Sequence, residues 1–314
     1  MFDFLYGNEN VFSIIENMLS HGRIPHAIML DGAKGLGKRS VAQELAKAIL
    51  CDNSHNYCGV CRSCEVYDAG SHPDIKVIKP DNKSNTAISI DAIRELGKDA
   101  FIKPMMSKRK VYIIENAETM RNEAQNAFLK ILEEPPQYVV FILLSESSSM
   151  LLDTIISRCT IFNLLPPPPS DALKVVRGKI PEKDVGELES VLSLVDNNIG
   201  RALSILSSDD EGVYADVKKL LSLVAAHKSY EMLKLVAKYH RDNKNFELFL
   251  NLLSSISAVE LRKKALGENT ALALSKQQLL HIIEVAKNTS LNCKKYNRSV
   301  DELLTTTFVS NLNN

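Results

Sequence analysis

The sequence has no excess of either charge and no long hydrophobic segment. Lysine and arginine number 38, as do aspartate and glutamate, so no net field attracts the whole chain to nucleic acid. Any contact with DNA must therefore come from a local patch. No apolar run approaches the roughly 20 residues that a membrane span needs. The opening MFDFLYGNEN has no basic stretch or cleavage site, so we expect a cytoplasmic protein that is not secreted.

Cysteine is scarce, and its placement is uneven. Four of the six cysteines lie in one short segment, at Cys51, Cys58, Cys61 and Cys64. Disulfides are a poor explanation in a chain of 314 residues without an export signal, because cytosolic thiols stay reduced. The spacing C-x6-C-x2-C-x2-C lets four thiolates converge on one Zn²⁺ ion and leaves no open position for chemistry. The segment therefore predicts a structural zinc site, with four unrelated cysteines as the alternative.

The pattern of apolar residues and breaks predicts three modules. Residues 1–165 alternate helical patterns with apolar runs, which is typical of a parallel sheet covered on both faces by helices. Strands are predicted at 26–32, 74–79, 110–114 and 139–144. Four prolines at 166–169 mark a boundary, and a small helical module follows at 166–208. A polar break then precedes a larger helical module at 209–314.

Residues 32–40, GAKGLGKRS, match the phosphate-binding loop G-x-x-x-x-G-K-[ST] at all but its last position. In a working loop, the lysine reaches the β and γ oxygens of the nucleotide and the following hydroxyl holds Mg²⁺. Arg39 replaces that hydroxyl, and a guanidinium has only donors and repels a cation. The candidate ligands for an anion at this helix N-terminus are Gly32, Gly35, Gly37 and Lys38. Alternatively, the loop is a relic that packing alone maintains.

A second departure from a working site follows the strand predicted at 110–114. ATPases of this layout end that strand with Asp-Glu, of which the first supports Mg²⁺ and the second polarises water. Glu115 and Asn116 stand there instead. A neutral amide has negligible proton affinity, so Asn116 cannot act as a general base. Together with Arg39, this change predicts that the chain does not hydrolyse ATP at its own site.

A family resemblance rests on six segments that occur in a fixed order. They are GRIPHAIMLDG (22–32), the cysteine cluster (51–64), KVYIIENAETM (110–120), NAFLKILEEPP (126–136), FILLSESSSMLLDTIISRC (141–159) and NIGRAL (198–203). Together they resemble bacterial clamp-loader subunits of the AAA+ class, which belong to the DNA polymerase III holoenzyme. The resemblance implies an AAA+ P-loop domain with a structural zinc, a small helical lid and an all-α collar for oligomerisation. The helical C-terminal part matches only in kind.

The resemblance also implies roles for two arginines. Ser157-Arg158-Cys159 matches the motif that clamp loaders present to a neighbouring subunit, where the arginine reaches the γ-phosphate of ATP. Alternatively, Arg158 is a surface arginine in a turn that ends a helix. Gly200-Arg201-Ala202 matches the second sensor, which touches nucleotide in cis. If the loop is empty, Arg201 has a structural role instead.

The first sensor of the family corresponds to Ser145 or Glu146. The family usually has threonine or asparagine there, so Glu146 is a departure that puts the sensing role in doubt.

The implied partners are other clamp-loader subunits, of the tau/gamma motor and delta types, and through the assembly the sliding clamp and primed DNA. Candidates for direct DNA contact are Lys103, Lys108, Arg109, Lys110, Arg262, Lys263 and Lys264. Basic runs of this length are also typical of a solvated face. The resemblance implies a subunit that does not hydrolyse ATP. Alternatives are an ATP-hydrolysing motor subunit of the same loader and a free-standing AAA+ remodeller. No segment resembles a nucleotidyl-transfer site, so polymerase activity is expected of the holoenzyme alone.

Overall fold

The chain folds into two compact units, Met1–Asp171 and Ala172–Asn314. The structure, a computed structural model, describes residues 6–53, 57–80, 87–207, 211–240, 242–267, 272–296 and 302–313. The predicted boundary between 208 and 209 lies outside the described residues. The division of the helical part into a lid and a collar therefore stays a prediction.

The first unit is built on a sheet of five parallel strands. They are β1 (Ala27–Asp31), β2 (Ile75–Ile78), β3 (Lys110–Ile114), β4 (Val139–Ser145) and β5 (Thr160–Asn163). Their order is β2-β3-β4-β1-β5, and every neighbouring pair is parallel. The parallel sheet predicted from the sequence is confirmed. The sequence gives no prediction for β5, which is short and buries only Phe162.

Helices cover both faces of this sheet. They are α1 (Glu9–Ser20), α2 (Lys38–Leu50), α3 (Arg62–Asp68), α4 (Ile90–Ala100), α5 (Asn122–Glu133) and α6 (Asp153–Ile156). Alternate residues of a strand point to opposite faces, so β1 contributes to two cores. Ile28 and Leu30 pack with α1 and α2, whereas Ala27 and Met29 pack with α4 and α5. Because helices cover both faces of the sheet, neighbouring strand residues are both buried, which explains the near-continuous apolar runs of the sequence.

The second unit is helical throughout its described residues. After α7 (Pro169–Lys179), which begins at the end of the first unit, its helices are α8 (Val185–Leu194), α9 (Ile199–Leu206), α10 (Glu211–Ala225), α11 (Ser229–Val236), α12 (Asn243–Ala265), α13 (Lys276–Tyr296) and α14 (Glu302–Asn313). Their buried side chains form one cluster that extends from Ala172 to Leu312. Among the described helices, none is both long enough and apolar enough to cross a bilayer.

The carboxyl ends of the strands bring the predicted site residues to one edge of the sheet. Asp31 at the end of β1 pairs in register with Ser145 at the end of β4. Glu115 directly follows β3, the other neighbour of β4. Ligands of open parallel sheets bind outside this edge. The candidate functional site therefore lies at this edge.

Candidate functional site

The phosphate-loop match lies between β1 and α2, as the sequence predicts. Gly37 is the N-cap of α2 in a left-handed conformation, with a φ of 82°, and among the described residues no side chain caps the helix. Gly35 is also left-handed, with a φ of 94°. Uncapped backbone N–H groups at a helix N-terminus favour an anion. The backbone thus retains the shape of an anion cradle.

Lys38 is directed back into this loop. Its ammonium donates to the carbonyl oxygens of Gly32 and Ala33, the latter at 3.0 Å. Burial lowers the pKa of Lys38, and the nearby carboxylates of Glu146, Glu118 and Asp31 oppose that effect. The lysine that would contact a phosphate is therefore already satisfied by oxygens of the protein.

Arg39 pairs with the residue that replaces the metal-supporting aspartate. Its Nη2 lies 2.5 Å from Oε2 of Glu115. The Glu115 side chain is only 6% exposed, and the next cation, the Nζ of Lys79, lies 4.0 Å from Oε1. Since a guanidinium donates but cannot accept, this pair neutralises the carboxylate without creating a position for Mg²⁺.

Asn116 follows Glu115 in a left-handed conformation, with a φ of 55°. Its carbonyl accepts hydrogen bonds from the backbone N–H and the hydroxyl of Thr119, the latter at 2.7 Å. These bonds start a short 3-10 helix at Ala117–Thr119. The position thus has a structural role in this chain, and its side-chain amide offers no base for activating water.

The candidate first sensor, Ser145, is fully buried. Its hydroxyl accepts a hydrogen bond from the backbone N–H of Ser147 at 3.0 Å. Asp31, its partner in register, accepts from the backbone N–H and the hydroxyl of Ser148, at 3.0 and 3.1 Å. These bonds fix the turn after β4. Glu146 adds a carboxylate near Lys38, which is unfavourable for a phosphate at the same place.

Arg158 lies in the turn between α6 and β5. Its guanidinium donates to the carbonyl of Thr154 at 2.9 Å and lies 3.4 Å from the carboxylate of Glu133 at the end of α5. The side chain is 36% exposed. The structure thus brings the segments 126–136 and 141–159 of the family resemblance into contact. The guanidinium of Arg158 also reaches the surface. Its action on a neighbour stays a prediction.

Arg201 lies on α9 in the second unit, and its side chain is exposed. Asn198 caps this helix by accepting from the backbone N–H of Arg201 at 3.1 Å. The predicted contact of Arg201 with a nucleotide stays a prediction.

The four clustered cysteines converge as the spacing predicts. Their sulfurs all lie within 4.8 Å of one another. Cys51 directly follows α2, and its Sγ lies 3.7 Å from that of Cys58 and 3.9 Å from that of Cys61. Four sulfurs at about 2.3 Å from a tetrahedral zinc are about 3.8 Å apart. The cluster therefore has the dimensions of a zinc site.

Backbone N–H groups support these sulfurs. The N–H groups of Cys58, Cys61 and Cys64 each point at the sulfur of the preceding cysteine of the cluster, at 3.4, 3.3 and 3.4 Å. A hydrogen bond from the backbone of Val60 lowers the pKa of Cys58, whereas burial raises the pKa of Cys64 to about 12. Metal binding requires each ligating sulfur to be deprotonated, so an ion in this cluster would displace the protons of the thiols.

The sequence does not predict the buried polar network that lies beside the cysteines. The hydroxyls of Ser63 and Ser107 both donate to the carbonyl of Leu50, at 2.6 and 2.8 Å. Nε2 of His72 lies 2.9 Å from the Ser63 hydroxyl and 3.2 Å from that of Ser107. The carboxylate of Asp74, which is fully buried, accepts from three successive backbone N–H groups that end at Ser107. The only signal in the sequence is that Ser63 stands between two cysteines.

The candidates for DNA contact differ in exposure. Lys103 and Lys108 are exposed, but Lys110 is 5% exposed and lies 2.9 Å from the carboxylate of Asp99. The inclusion of Lys110 in this set is therefore wrong, because its charge is already neutralised inside the protein. In the second unit, Lys263 lies 3.8 Å from Glu260.

Comparison with known proteins decides the family. The family described as "DNA polymerase III, delta subunit" matches residues 7–168, which contain the sheet, the loop, the cysteines and Arg158. The chain belongs to this family. The clamp-loader resemblance of the sequence is confirmed.

Two curated relatives illustrate the match. DNA polymerase III subunit delta' of Bacillus subtilis is 34% identical over 203 residues, which are 64% of this chain and 59% of the relative. DNA polymerase III subunit gamma of Buchnera aphidicola is 30% identical over 263 residues, which are 80% of this chain and 71% of the relative. The match to the Bacillus protein thus spans less than two thirds of that relative's length.

Among solved structures, a DNA polymerase III gamma subunit-related protein from Thermotoga maritima has a similar fold. The TM-score is 0.52 at 21% identity, and the match covers 95% of this chain and 98% of the other. At this identity the likeness shows the fold alone. It extends the similarity beyond the sheet into the helical part of the chain.

Proposed function

We propose that this chain is the delta-prime-type subunit of a DNA polymerase III clamp loader, a stator that does not hydrolyse ATP. The observation that carries the proposal is the ion pair between Arg39 and Glu115. In a working site, these two positions hold a hydroxyl that binds the metal and a carboxylate that supports it. Here they hold two opposite charges that neutralise each other. Asn116 adds the loss of the residue that would polarise water. The delta' relatives from several bacteria support the same assignment.

The active contribution of the chain is Arg158. In the proposed assembly, this guanidinium reaches the γ-phosphate of ATP held by a neighbouring motor subunit and stabilises the charge that develops there. The exposure of Arg158 and its weak tie to Glu133 support this role, because an exposed ion pair is worth only about 0–1 kcal/mol and is easily exchanged. The other proposed partners are the delta subunit and, through the assembly, the sliding clamp and primed DNA. Such a loader acts on the chromosome, so the proposal puts the chain in the cytoplasm.

Zinc is the proposed cofactor, with a structural role. Cys51, Cys58, Cys61 and Cys64 would hold it, and four thiolates leave no open position for substrate. The phosphate loop is proposed to be a relic. Gly32 supports this view, because a Cβ added there would lie 2.6 Å from the carbonyl oxygen of Leu164, so packing alone requires glycine.

The ATP-hydrolysing motor of the tau/gamma type is the rival function. The similarity to gamma and the retained Lys38 favour it. It requires a metal site and a base, and the described residues at 39, 115 and 116 provide neither. Single-turnover hydrolysis by the isolated chain separates the two functions: cleavage of Mg-ATP above background would establish the motor and overturn the stator.

The test of the stator is Arg158→Ala in a loader reconstituted from this chain and its partner subunits. DNA-stimulated ATP hydrolysis should fall by at least about tenfold, in line with other trans arginines. Arg94→Ala is the matched control, because Arg94 is also exposed and also lies 3.4 Å from a carboxylate, that of Asp91. Size-exclusion chromatography must show that both variants assemble. An assembled Arg158→Ala loader with unchanged hydrolysis would refute the proposed role of this arginine.

A further inference from the structure

The segment between α4 and β3, residues 101–109, carries an exposed apolar tip. Phe101 is 64% exposed, Ile102 59% and Met105 82%. We call this segment the 101–109 loop. Its far end is anchored firmly: Asp74 accepts from the backbone N–H groups of Met105, Met106 and Ser107, at 2.6, 2.7 and 2.8 Å. One buried carboxylate thus fixes three successive backbone amides.

His72 connects this anchor to the cysteine cluster. The backbone N–H of Asp74 donates to Nδ1 of His72 at 3.1 Å, so the ring proton is on Nε2. Nε2 therefore donates toward the hydroxyl oxygens of Ser63 and Ser107. Burial lowers the pKa of His72, in agreement with a neutral ring. Since the hydroxyls donate onward to Leu50, every polar atom named here has a partner.

Ser63 is the member of the network that the cysteines control. It stands between Cys61 and Cys64 in the first turn of α3, and Cys61 is the N-cap of that helix. The α3 helix has only seven residues, and isolated helices shorter than about 12 residues are marginal in water. A tetrahedral ion that holds both flanking sulfurs would hold the Ser63 hydroxyl in place with them. Leu50, which accepts from Ser63, directly precedes the first cysteine.

We propose that metal binding at the cysteine cluster positions the 101–109 loop through Ser63, His72 and Ser107. The ion fixes Ser63, and Ser63 with His72 fixes Ser107 and Asp74, which together hold the loop backbone. This inference rests on the zinc site of the proposed function and assigns that site an effect beyond holding its own segment together.

Hydrogen–deuterium exchange on the full chain tests the coupling. Ser63→Ala, with one zinc per chain confirmed by elemental analysis, should speed the exchange of the amides of Met105, Met106 and Ser107 by about threefold to tenfold, the range of one net hydrogen bond. Ser71→Ala is the control, because Ser71 is exposed and lies in the same segment. Exchange within twofold of the wild type in a zinc-loaded Ser63→Ala chain overturns the proposal.

Thermodynamic coupling is reciprocal, so a change in the 101–109 loop must also change the affinity of the cysteine cluster for zinc. Ser107→Ala removes a hydroxyl that is distant in sequence from the cysteines. Competition with a chelator should show zinc affinity lowered about threefold to tenfold relative to Ser71→Ala. Unchanged affinity overturns the proposal, and this measurement stays decisive if Ser63→Ala loses its zinc.

A fluorescent reporter gives an independent measurement. The chain has no tryptophan, so Met105→Trp introduces a single one at an exposed position of the loop. Removing zinc with a chelator should lower the anisotropy of its emission, and unchanged anisotropy after zinc release counts against the coupling. A chain that never holds zinc would refute the metal site itself. Both results are independent of the hydrolysis assay on the Arg158→Ala loader.

Discussion

Arg39 and Glu115 form an ion pair at the edge of the sheet, with 2.5 Å between Nη2 and Oε2. The arginine side chain is 62% exposed and the glutamate side chain is 6% exposed, so the pair links a solvated guanidinium to a nearly buried carboxylate. In a site that works with Mg²⁺, an oxygen ligand and a carboxylate would face the same ion at these positions. Here a guanidinium contacts the carboxylate instead.

The first prediction concerns the stability that this pair contributes. Arg39→Ala should lower the free energy of unfolding by about 1–2 kcal/mol, because it leaves a nearly buried carboxylate beside the more distant Nζ of Lys79, at 4.0 Å. Glu115→Gln keeps the shape and removes the charge. Urea denaturation of both variants and of the double variant gives the coupling energy. Strictly additive effects would show that the pair contributes nothing.

The second prediction separates packing from nucleotide binding as the reason for Gly32. Its φ is 147°, and an added Cβ would lie 2.6 Å from the carbonyl oxygen of Leu164. Gly32→Ala should therefore lower stability by about 1–3 kcal/mol in the absence of any nucleotide. Gly178→Ala is the control, since no atom lies within 4 Å of its added Cβ. Thermal unfolding with no nucleotide present measures both, and a stable Gly32→Ala chain would contradict the packing argument.

The third prediction concerns zinc content. The wild-type chain should contain one zinc ion, and Cys64→Ser should abolish it, because a serine hydroxyl is a poor fourth ligand. Cys159→Ser should keep its zinc, because Cys159 is not part of the cluster and burial raises its pKa to about 12. Elemental analysis of the purified chains decides the matter. A wild-type zinc content in Cys64→Ser would exclude Cys64 as a ligand.

The fourth prediction concerns acid stability. Burial opposes the ionisation of Asp99, but hydrogen bonds from Tyr112, Lys76 and Lys110 outweigh it and lower its pKa to about 2. A carboxyl whose pKa is depressed in the folded state stabilises the fold above its unfolded pKa, and this contribution is lost as the pH falls. The loss should amount to about 2 kcal/mol between about pH 4 and pH 2.

Asp99→Asn tests this prediction. The variant should be less stable at neutral pH, because Lys110 is left buried without its carboxylate, and its stability should fall less steeply below pH 4. Asp91→Asn is the control, since Asp91 has 86% of its side chain exposed. Urea midpoints across this range provide the comparison. Parallel pH profiles for Asp99→Asn and the wild type would contradict the assignment.

Local sequence patterns predict the fully buried strands and the cysteine cluster well. The strand predicted at 110–114 has the same bounds as β3, because this run is buried at every residue and is bounded by charged residues. The convergence of the cysteines follows from short spacings along the chain. By contrast, β5 has a mixed pattern, and its place beside β1 depends on the sheet as a whole.

Contacts between distant segments are what the sequence does not reveal. It identifies Arg39 and Glu115 separately as departures from a working site, but their pairing depends on which strand ends share an edge of the sheet. The same holds for Lys110. As one of three consecutive basic residues it resembles a surface position, yet the first residue of β3 points inward toward Asp99.

The pairing of Arg39 with Glu115 also constrains the mutational routes open to this chain. Exchanging the arginine alone leaves a poorly solvated carboxylate, and exchanging the glutamate alone leaves a guanidinium without its counter-charge. Exchange of Arg39 alone, a step back toward a metal-binding hydroxyl, therefore passes through a less stable protein, and Asn116 would still have to change afterwards. If the chain is the proposed stator, a return to ATP hydrolysis would need coordinated changes at residues 39, 115 and 116 rather than a single exchange.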